Sequence, residues 1–423
     1  MPKRIELSYG RGKTQLDLPE NYATVIEPTP QKVLRDEHQA VLDALDHPVG
    51  APPLREWIQP GHQVCIVFTD ITRATPNHRL IPWLLDYLSF VPRNQVTLLN
   101  AVGTHRPNTP DELAVLLSPG VAQNYRVINH PCEDPDQLLK IGQMRDGAPA
   151  LLNRHLVEAD VRIITGFIEP HFFAGFSGGP KGILPGVAGL ESVLSNHGPH
   201  NIGHPKAAFG ITTGNPLWEE IQEIALRVGP SFLLNVTLDH ERRLTGVFAG
   251  DLIEAHRVGC EFVRESAMQR VEEPFDIVVT TNSGYPLDLN LYQGVKGLSA
   301  GARILKPGGL LILACECSEG IPANSPYDRL LRSARNPAEL LERIQSPGFS
   351  WPEQWQVQIQ AGIQAKARVQ LFSRLSDADT RAAHFEPCRD ISRAVEAELH
   401  HLGATGRVAI LPQGPLTIPY LAD

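Results

Sequence analysis

The strongest constraint on the fold is an alternation of short apolar runs with amphipathic segments. The runs at 63–69, 95–100 and 161–165 are almost continuously apolar, which is typical of strands buried on both faces of a sheet. Helix-like segments separate these runs, and two further apolar runs of the same kind occur at 275–280 and 309–314. This alternation predicts an α/β fold made of two α/β domains with mainly parallel sheets.

A length of 423 residues is sufficient for two domains, each with its own core. The longest helix-like pattern, at 251–271, ends at Glu272-Glu273-Pro274, and we place the boundary there. The prediction is an N-terminal domain over residues 1–272, which carries a glycine-rich loop, and a C-terminal domain over 273–423. The last strand could pack back on the N-terminal domain.

Charge and composition exclude several classes of partner. The formal net charge is −9 and no basic cluster is present, which disfavours nucleic acid and anionic membranes as partners. The N-terminal stretch lacks a secretory pattern, and no apolar run approaches the roughly 20 residues that span a bilayer. The six cysteines are scattered, which suits a reducing compartment. We therefore expect a cytoplasmic protein, in which Cys315 and Cys317 are buried thiols rather than metal ligands.

One stretch, residues 166–200, is crowded with glycine and proline. It contains His171, Lys181, His197 and His200. Glycine permits positive φ angles and close backbone approach, while proline fixes φ. A loop of this composition is suited to a ligand that lies close to the backbone, and we interpret it as the floor of an active site.

Other polar side chains follow predicted strands in both halves of the chain. In open parallel sheets, ligands bind outside the carboxyl ends of the strands, so these loops should converge. We therefore expect an active-site cleft between the two domains. The residues in these loops are Asp70, Arg73, His105, Tyr292, Gln293 and Lys296.

The residue types leave several roles open. Arg73 and Lys296 could clamp a carboxylate, or each could be an ordinary surface cation. His105 and His171 could exchange protons near neutral pH, or could be structural donors. Lys181 could contact phosphate or carry a covalent group; the residues around it do not form a P-loop.

A second histidine group has its own alternatives. His197, His200 and His204 could bind a metal, but their spacing does not match the zinc-peptidase motif. No GxGxxG fingerprint follows any predicted strand, so the sequence offers no motif for diffusible NAD.

Several motifs together resemble one family. The runs DITRATP, GTHRP, EPHFFAGFSGGPKGILPGVAG, SNH, LYQGVKG and WQVQ are similar to those of the nickel-pincer-dependent lactate racemases. They extend from about residue 65 to about residue 360, in the order that the family has, and so span both predicted domains. The glycine-rich loop is the most specific of them.

The resemblance implies a cofactor and a set of roles. In that family a nickel-pincer nucleotide, Ni(II) pyridinium-3-thioamide-5-thiocarboxylic acid mononucleotide, is covalently attached to a lysine, which is Lys181 here. The resemblance implies that His197 ligates the nickel and that His105 and His171 are the acid/base pair. It further implies contacts with substrate or cofactor, from Arg73, Gln293 and Lys296 to the substrate and from Asp70, Tyr292 and Trp355 to the cofactor.

We therefore predict a racemase or epimerase that inverts C2 of a small, lactate-like 2-hydroxy acid. The reaction would use reversible hydride transfer through a 2-oxo acid, with proteins that assemble the cofactor as transient partners. Two alternatives stay open: a metal-dependent hydrolase that uses the His-rich loop, and a non-catalytic protein that binds nickel or the nucleotide. The sequence does not specify which 2-hydroxy acid is the substrate.

Overall fold

The structure is a computed structural model that describes residues 2–19, 22–403 and 405–421. Its chain divides into two compact units. Unit A comprises Pro30–His197 and Gly210–Arg264, and unit B comprises Met1–Thr29, Gly198–Phe209 and Glu265–Asp423. Both units are therefore built from separate stretches of the sequence.

Strands supply the framework of both units. They are β1 (Pro2–Tyr9), β2 (Gly12–Pro19), β3 (Ala23–Val25), β4 (Val64–Thr69), β5 (Val96–Ala101), β6 (Arg126–Asn129), β7 (Leu138–Gln143), β8 (Pro149–Asn153), β9 (Val161–Phe167), β10 (Pro170–His171), β11 (Gly175–Phe176), β12 (Phe232–Leu238), β13 (Leu244–Asp251), β14 (Met268–Val271), β15 (Phe275–Thr281), β16 (Leu305–Ala314), β17 (Arg368–Phe372), β18 (Glu386–Cys388), β19 (Val408–Leu411) and β20 (Ile418–Leu421).

Helices connect these strands. They are α1 (Glu37–Asp46), α2 (Asn77–Tyr87), α3 (Pro110–Leu117), α4 (Pro119–Asn124), α5 (Arg154–Val157), α6 (Leu190–Asn196), α7 (Pro199–Ile202), α8 (Pro216–Arg227), α9 (Glu254–Ala267), α10 (Leu291–Ala302), α11 (Pro326–Leu331), α12 (Pro337–Gln345), α13 (Gln354–Gln364), α14 (Asp377–Ala382) and α15 (Ile391–His401).

Unit A is built on a six-stranded sheet of order β13-β12-β9-β4-β5-β6. Its neighbours pair in parallel except β12 and β13, which form an antiparallel hairpin at one edge. The central strand β4 is buried along almost its whole length, because helices cover both faces of a parallel sheet. A core cluster that includes Ile66, Leu98 and Ile163 joins the strands to α1 and α2.

Unit B is built on a second six-stranded sheet, of order β18-β17-β16-β15-β19-β3, in which every pair is parallel. The hairpin β1–β2 contributes Leu7 and Leu16 to the core beneath this sheet, together with Ile277 and Ile410. The prediction of an α/β fold with mainly parallel sheets is confirmed.

One boundary differs from the sequence-based expectation, and one short strand, β3, was not part of that expectation. The helical pattern predicted to run to Val271 ends at Ala267, and residues 268–271 form β14, which pairs in parallel with β20. The short strand β3 joins β19 at the edge of the sheet in unit B. Both strands exist because a distant segment supplies their hydrogen-bond partners, which no local pattern reveals.

Candidate active site

The first group of site residues lies in unit A, where β4 and β5 end. Asp70 follows β4 and is 2% exposed. Its Oδ2 accepts a hydrogen bond of 2.6 Å from His105 Nδ1, and its Oδ1 accepts bonds from the Thr72 backbone N–H at 3.0 Å and hydroxyl at 2.6 Å. Burial alone would raise the pKa of Asp70, but the His105 bond and charge, the Arg73 charge and the Thr72 bond lower it to about 2.

The hydrogen bond from His105 to an ionised carboxylate fixes the histidine. Because Asp70 is an acceptor only, His105 Nδ1 carries the proton, and in the neutral ring Nε2 carries the lone pair. The His105 side chain is 27% exposed. This arrangement makes His105 Nε2 a proton acceptor, with a buried negative charge behind the ring to stabilise the protonated form.

Three asparagines tie the loop after β4 to the loop after β5. Asn108 Oδ1 accepts from Ile71 N at 3.4 Å and from Asn100 Nδ2 at 2.8 Å. Asn129 Nδ2 donates to Asn108 O at 2.9 Å. The loops that carry Asp70 and His105 are therefore joined by the amides of buried Asn100 and Asn108 and of half-buried Asn129, a feature that the sequence did not reveal.

The glycine-rich loop is held against the His105 loop by backbone bonds. Gly103 N donates to Gly186 O at 2.9 Å, and Gly186 N donates to Lys181 O at 3.1 Å. Gly103 has a φ of +57°, a conformation that glycine adopts without strain. Two hydrogen bonds thus connect the backbone beside His105 to the backbone of Lys181.

Phe173 brings three of the predicted residues together. The Lys181 ammonium lies 5.5 Å from the centroid of the Phe173 ring, and His171 and His197 pack edge-on against this ring at 4.5 Å and 5.1 Å. Phe173 is itself 4% exposed. Sequence reasoning missed this residue; the only signal was a pair of phenylalanines directly after His171.

His171 has the opposite hydrogen-bond arrangement to His105. The ring lies on β10, and its Nδ1 accepts a hydrogen bond of 3.2 Å from Ala174 N. A backbone N–H can only donate, so Nε2 carries the proton of the neutral ring. Neutral His171 therefore presents an N–H donor at Nε2, the ring atom at which neutral His105 presents a lone pair.

His197 is buried at the end of α6. Burial, and then the positive charge of Lys181, lower its pKa well below the ordinary value. The imidazole is consequently neutral, which is the form that ligates metals. Among the residues that the structure describes, no group of three or more His, Cys, Asp or Glu side chains could hold a metal ion. The hydrolase alternative, which relies on His197, His200 and His204, therefore has no such ligand group in the described part of the chain.

The remaining predicted residues lie on two helices of unit B. Asn290 caps α10 by accepting from Gln293 N at 3.2 Å, and Tyr292 and Lys296 lie one helical turn apart on α10. Trp355, on α13, donates from its indole nitrogen to the Tyr292 hydroxyl at 3.3 Å. The structure thus brings Tyr292 and Trp355 into contact.

The structure also shows where His200 and the cysteines lie. His200 lies on α7, a short helix of unit B whose Pro199 carbonyl accepts a bond of 2.9 Å from Gln358. All six cysteines are free thiols, and Cys315 and Cys317 are buried with their sulfurs 3.4 Å apart.

No helix among the described residues is long and apolar enough to cross a membrane.

Comparisons with known proteins agree over most of the chain. Family models for the lactate racemase N-terminal domain and the lactate racemase C-terminal domain match residues 9–210 and 271–418. The curated lactate racemase of Lactiplantibacillus plantarum is 36% identical over 383 residues, which cover 89% of this chain and 90% of that protein. The chain belongs to the lactate racemase family. A second curated lactate racemase, from Thermoanaerobacterium thermosaccharolyticum, is 33% identical over 417 residues, 97% of each chain.

Solved structures place the fold in the same family. The lactate racemase apoprotein of Thermoanaerobacterium thermosaccharolyticum matches with a TM-score of 0.92 and 32% identity, over 99% of this chain and 100% of that one. A crystal structure of a protein from Thermotoga maritima matches with a TM-score of 0.67 and 20% identity, over 91% and 98%, and shows the fold alone. The predicted lactate racemase family and isomerase class are confirmed.

Proposed function

We propose that this member of the lactate racemase family inverts C2 of a small 2-hydroxy acid, with lactate as the simplest substrate. The observation that carries the proposal is a pair of histidines whose neutral rings hold the proton on different nitrogens, Nδ1 in His105 and Nε2 in His171. Neutral His105 accepts a proton at Nε2, because Asp70 holds the proton on Nδ1. Neutral His171 donates a hydrogen bond from Nε2, because Ala174 N donates to its Nδ1. A racemase needs one base and one acid that exchange roles with the direction of the reaction.

In this proposal the histidines transfer protons, and other side chains bind the substrate. His105 removes the hydroxyl proton of one enantiomer, and the ionised Asp70 stabilises the resulting imidazolium. After His171 has taken up a proton from solvent, its imidazolium returns a proton to the oxygen when the opposite configuration forms, and His105 releases the proton that it gained to solvent. In the reverse direction the two histidines exchange roles. We assign Arg73, Gln293 and Lys296 to the substrate, where a planar guanidinium and an ammonium suit a carboxylate. Their convergence in a cleft between two domains stays a prediction.

We also propose that Lys181 carries a nickel-pincer nucleotide. The residues fit such a group: His197 is buried and neutral, and it packs on the same phenylalanine ring as Lys181. His197 would hold the nickel of such a group, since imidazole is a suitable ligand for nickel. When bound, the group supplies a hydride acceptor and donor for C2, which takes the substrate through a planar 2-oxo acid. Asp70, Tyr292 and Trp355 stay assigned to the cofactor's surroundings.

The proposal includes a location and partners. Proteins that build and insert the nucleotide would act on this chain transiently. We predict that this occurs in the cytoplasm, where thiols such as those of Cys315 and Cys317 stay reduced.

The decisive experiment is a chiral assay in D2O on single enantiomers of several 2-hydroxy acids, with protein from cells that make the cofactor. We expect inversion of lactate or a close analogue without deuterium at C2. Inversion with deuterium at C2 would contradict the hydride mechanism but keep the reaction class. A loaded protein that inverts no acid of the panel would favour the non-catalytic alternative.

A variant tests the histidine assignment separately. Asn at position 105 can keep a donor near the position of Nδ1, and so its bond to Asp70, but it has no atom in place of Nε2. We expect His105→Asn to lower kcat by about 10²-fold or more while the covalent mass on Lys181 is retained. A variant that is loaded and fully active would rule out His105 as the base.

A further inference from the structure

The turn that leads into Lys181 is conformationally demanding. Gly178 and Gly179 have φ angles of +75° and +55°, and a 3-10 turn then spans Gly179–Gly182. Lys181 N donates to Gly178 O at 3.2 Å. The direction in which the Lys181 side chain leaves the backbone therefore depends on these two glycines.

Two buried side chains outside the glycine-rich loop hold this turn. His256, on α9, donates from Nε2 to Ser177 O at 2.8 Å. Asn235, on β12, accepts at Oδ1 from Gly179 N at 2.8 Å. The backbone is thus bound on both sides of Gly178, once at a carbonyl and once at an N–H.

The same side chains leave no room for any residue but glycine. A Cβ on Gly178 would come within 2.4 Å of Asn235 Oδ1, and one on Gly179 within 2.5 Å of the His256 ring. Both distances are far below van der Waals contact. Gly178 and Gly179 therefore pack directly against the side chains of Asn235 and His256, with no space for a Cβ.

His256 is held in one tautomer and one orientation. Ser177 O can only accept, so Nε2 carries the proton, and Nδ1 lies 3.4 Å from the Cys260 sulfur, whose thiol can donate to it. Trp218 stacks on the ring at 5.1 Å with an interplanar angle of 22°. A buried histidine with both nitrogens engaged and a stacked face is a rigid support.

We propose that His256 and Asn235 are positioning residues for Lys181: they fix the turn from which this lysine starts and so set the orientation of its amine. The functional meaning rests on the proposed role of Lys181 as the point of cofactor attachment. Neither residue needs to touch substrate or cofactor.

The test compares two substitutions of His256 that differ in side-chain length. The amide of His256→Gln reaches the position of Nε2 and can donate to Ser177 O, whereas the amide of His256→Asn stops near Nδ1. His384→Asn is the matched control, because His384 Nε2 makes the same kind of bond, at 3.0 Å, to Leu331 O in unit B. All three variants are checked for folding by circular dichroism and thermal melting.

The first readout needs no cofactor. The full chain without cofactor is trace-labelled with acetic anhydride, and the rate at Lys181 is divided by the rate at exposed Lys140. We expect His256→Asn to raise this ratio about fivefold, the factor for one lost hydrogen bond, while His256→Gln and His384→Asn stay near the wild-type value. An unchanged ratio in folded His256→Asn would overturn the proposal.

The second readout is the fraction of chains with covalent mass on Lys181 in protein from cofactor-making cells. We expect it to fall about fivefold in His256→Asn and to recover in His256→Gln. If wild-type protein carries no mass there, the proposed function fails, and the labelling ratio still decides the positioning role. Should His256→Asn not fold, Asn235→Ser tests the other side of the turn, because serine is too short to reach Gly179 N.

Discussion

At the residue scale, the two candidate acid/base groups differ in what their Nδ1 atoms contact. The Nδ1 of His105 faces a carboxylate, while the Nδ1 of His171 faces a backbone N–H. These partners determine which ring nitrogen of the neutral histidine holds the proton, and hence which histidine presents a lone pair at Nε2 and which presents an N–H there. The chemical difference between two identical side chains is therefore produced by their neighbours.

Substitution of Asp70 tests this difference. In Asp70→Asn the amide can donate to His105 Nδ1, which moves the proton of the neutral ring to Nε2. We expect kcat for racemisation to fall about 10²-fold or more, measured on loaded protein by a chiral assay. Asp146→Asn is the control, because Asp146 also accepts a backbone bond in a turn, from Ala148 N at 3.0 Å, away from the histidines. Equal activity of the two variants would contradict the tautomer argument.

His130 makes stability depend on pH. It lies near the end of β6, donates to Ala188 O at 2.9 Å and accepts from Asn153 Nδ2 at 3.1 Å. Burial lowers its pKa from the ordinary 6.5 to about 4, although the bond to Ala188 opposes this. The unfolded chain binds the proton first as pH falls, so the stabilising contribution is complete above about pH 6.5 and is lost towards pH 4.

We therefore expect His130→Gln to reduce the pH dependence of the unfolding free energy. Between pH 7 and 4.5 the wild-type protein should lose about 2–3 kcal/mol that the variant does not lose, measured by urea unfolding. His240→Gln, at an exposed position, should leave the pH dependence unchanged. If the variant loses as much stability as the wild type between pH 7 and 4.5, His130 is not the cause of this pH-dependent loss.

At the scale of elements, helix α10 has two roles in unit B. It packs on β15 and β16, its residues Val295 and Leu298 are fully buried, and it carries Tyr292, Gln293 and Lys296. Its N-terminus is fixed by the Asn290 side chain. The placement of the three predicted site residues thus depends on one helix cap.

Two matched caps test this dependence. Asn290→Ala should cost about 1 kcal/mol of stability and raise KM for the 2-hydroxy acid several-fold, because the first turn of α10 frays. Asn336→Ala removes the same kind of cap from α12, where Asn336 accepts from Glu339 N at 3.0 Å. We expect it to cost similar stability and to leave KM unchanged. A similar rise in KM in both variants would mean that the effect is general destabilisation.

At the scale of the whole molecule, chain order and spatial order differ. The first 29 residues belong to the same compact unit as the C-terminal part of the chain. Ile26 N donates to Ile410 O at 2.9 Å, Ser8 N donates to Pro412 O at 3.1 Å, and the hairpin β1–β2 buries Leu7 and Leu16. The sheet of unit B is therefore completed by the opposite end of the chain.

Removal of residues 1–29 should expose this dependence. We expect the amides of β15 and β19 to lose protection in hydrogen exchange followed by mass spectrometry, because an apolar face and a strand edge become exposed. The amides of β4 in unit A serve as the internal control and should stay protected. Unchanged protection at Val408–Leu411 would show that the N-terminal segment is dispensable for unit B.

The sequence by itself determined much of this protein. The apolar runs specify the buried strands β4, β5, β9 and β15, since a strand covered on both faces must be apolar throughout. Asn215, Asn336 and Asp390 precede helices that they cap, which is a local effect. The motifs that carry His105, His171 and Lys181 were sufficient to indicate the family.

Only the tertiary structure decided how these residues are held. The bond between Asp70 and His105 joins residues 35 positions apart, and the one between Asn235 and Gly179 joins residues 56 apart. Strand β3 exists because β19 supplies its partner. Local propensity cannot specify such pairs, because their geometry depends on how whole strands and helices pack. The sequence thus determined which groups are available, and the fold determined which of them accept protons, donate protons or hold the backbone.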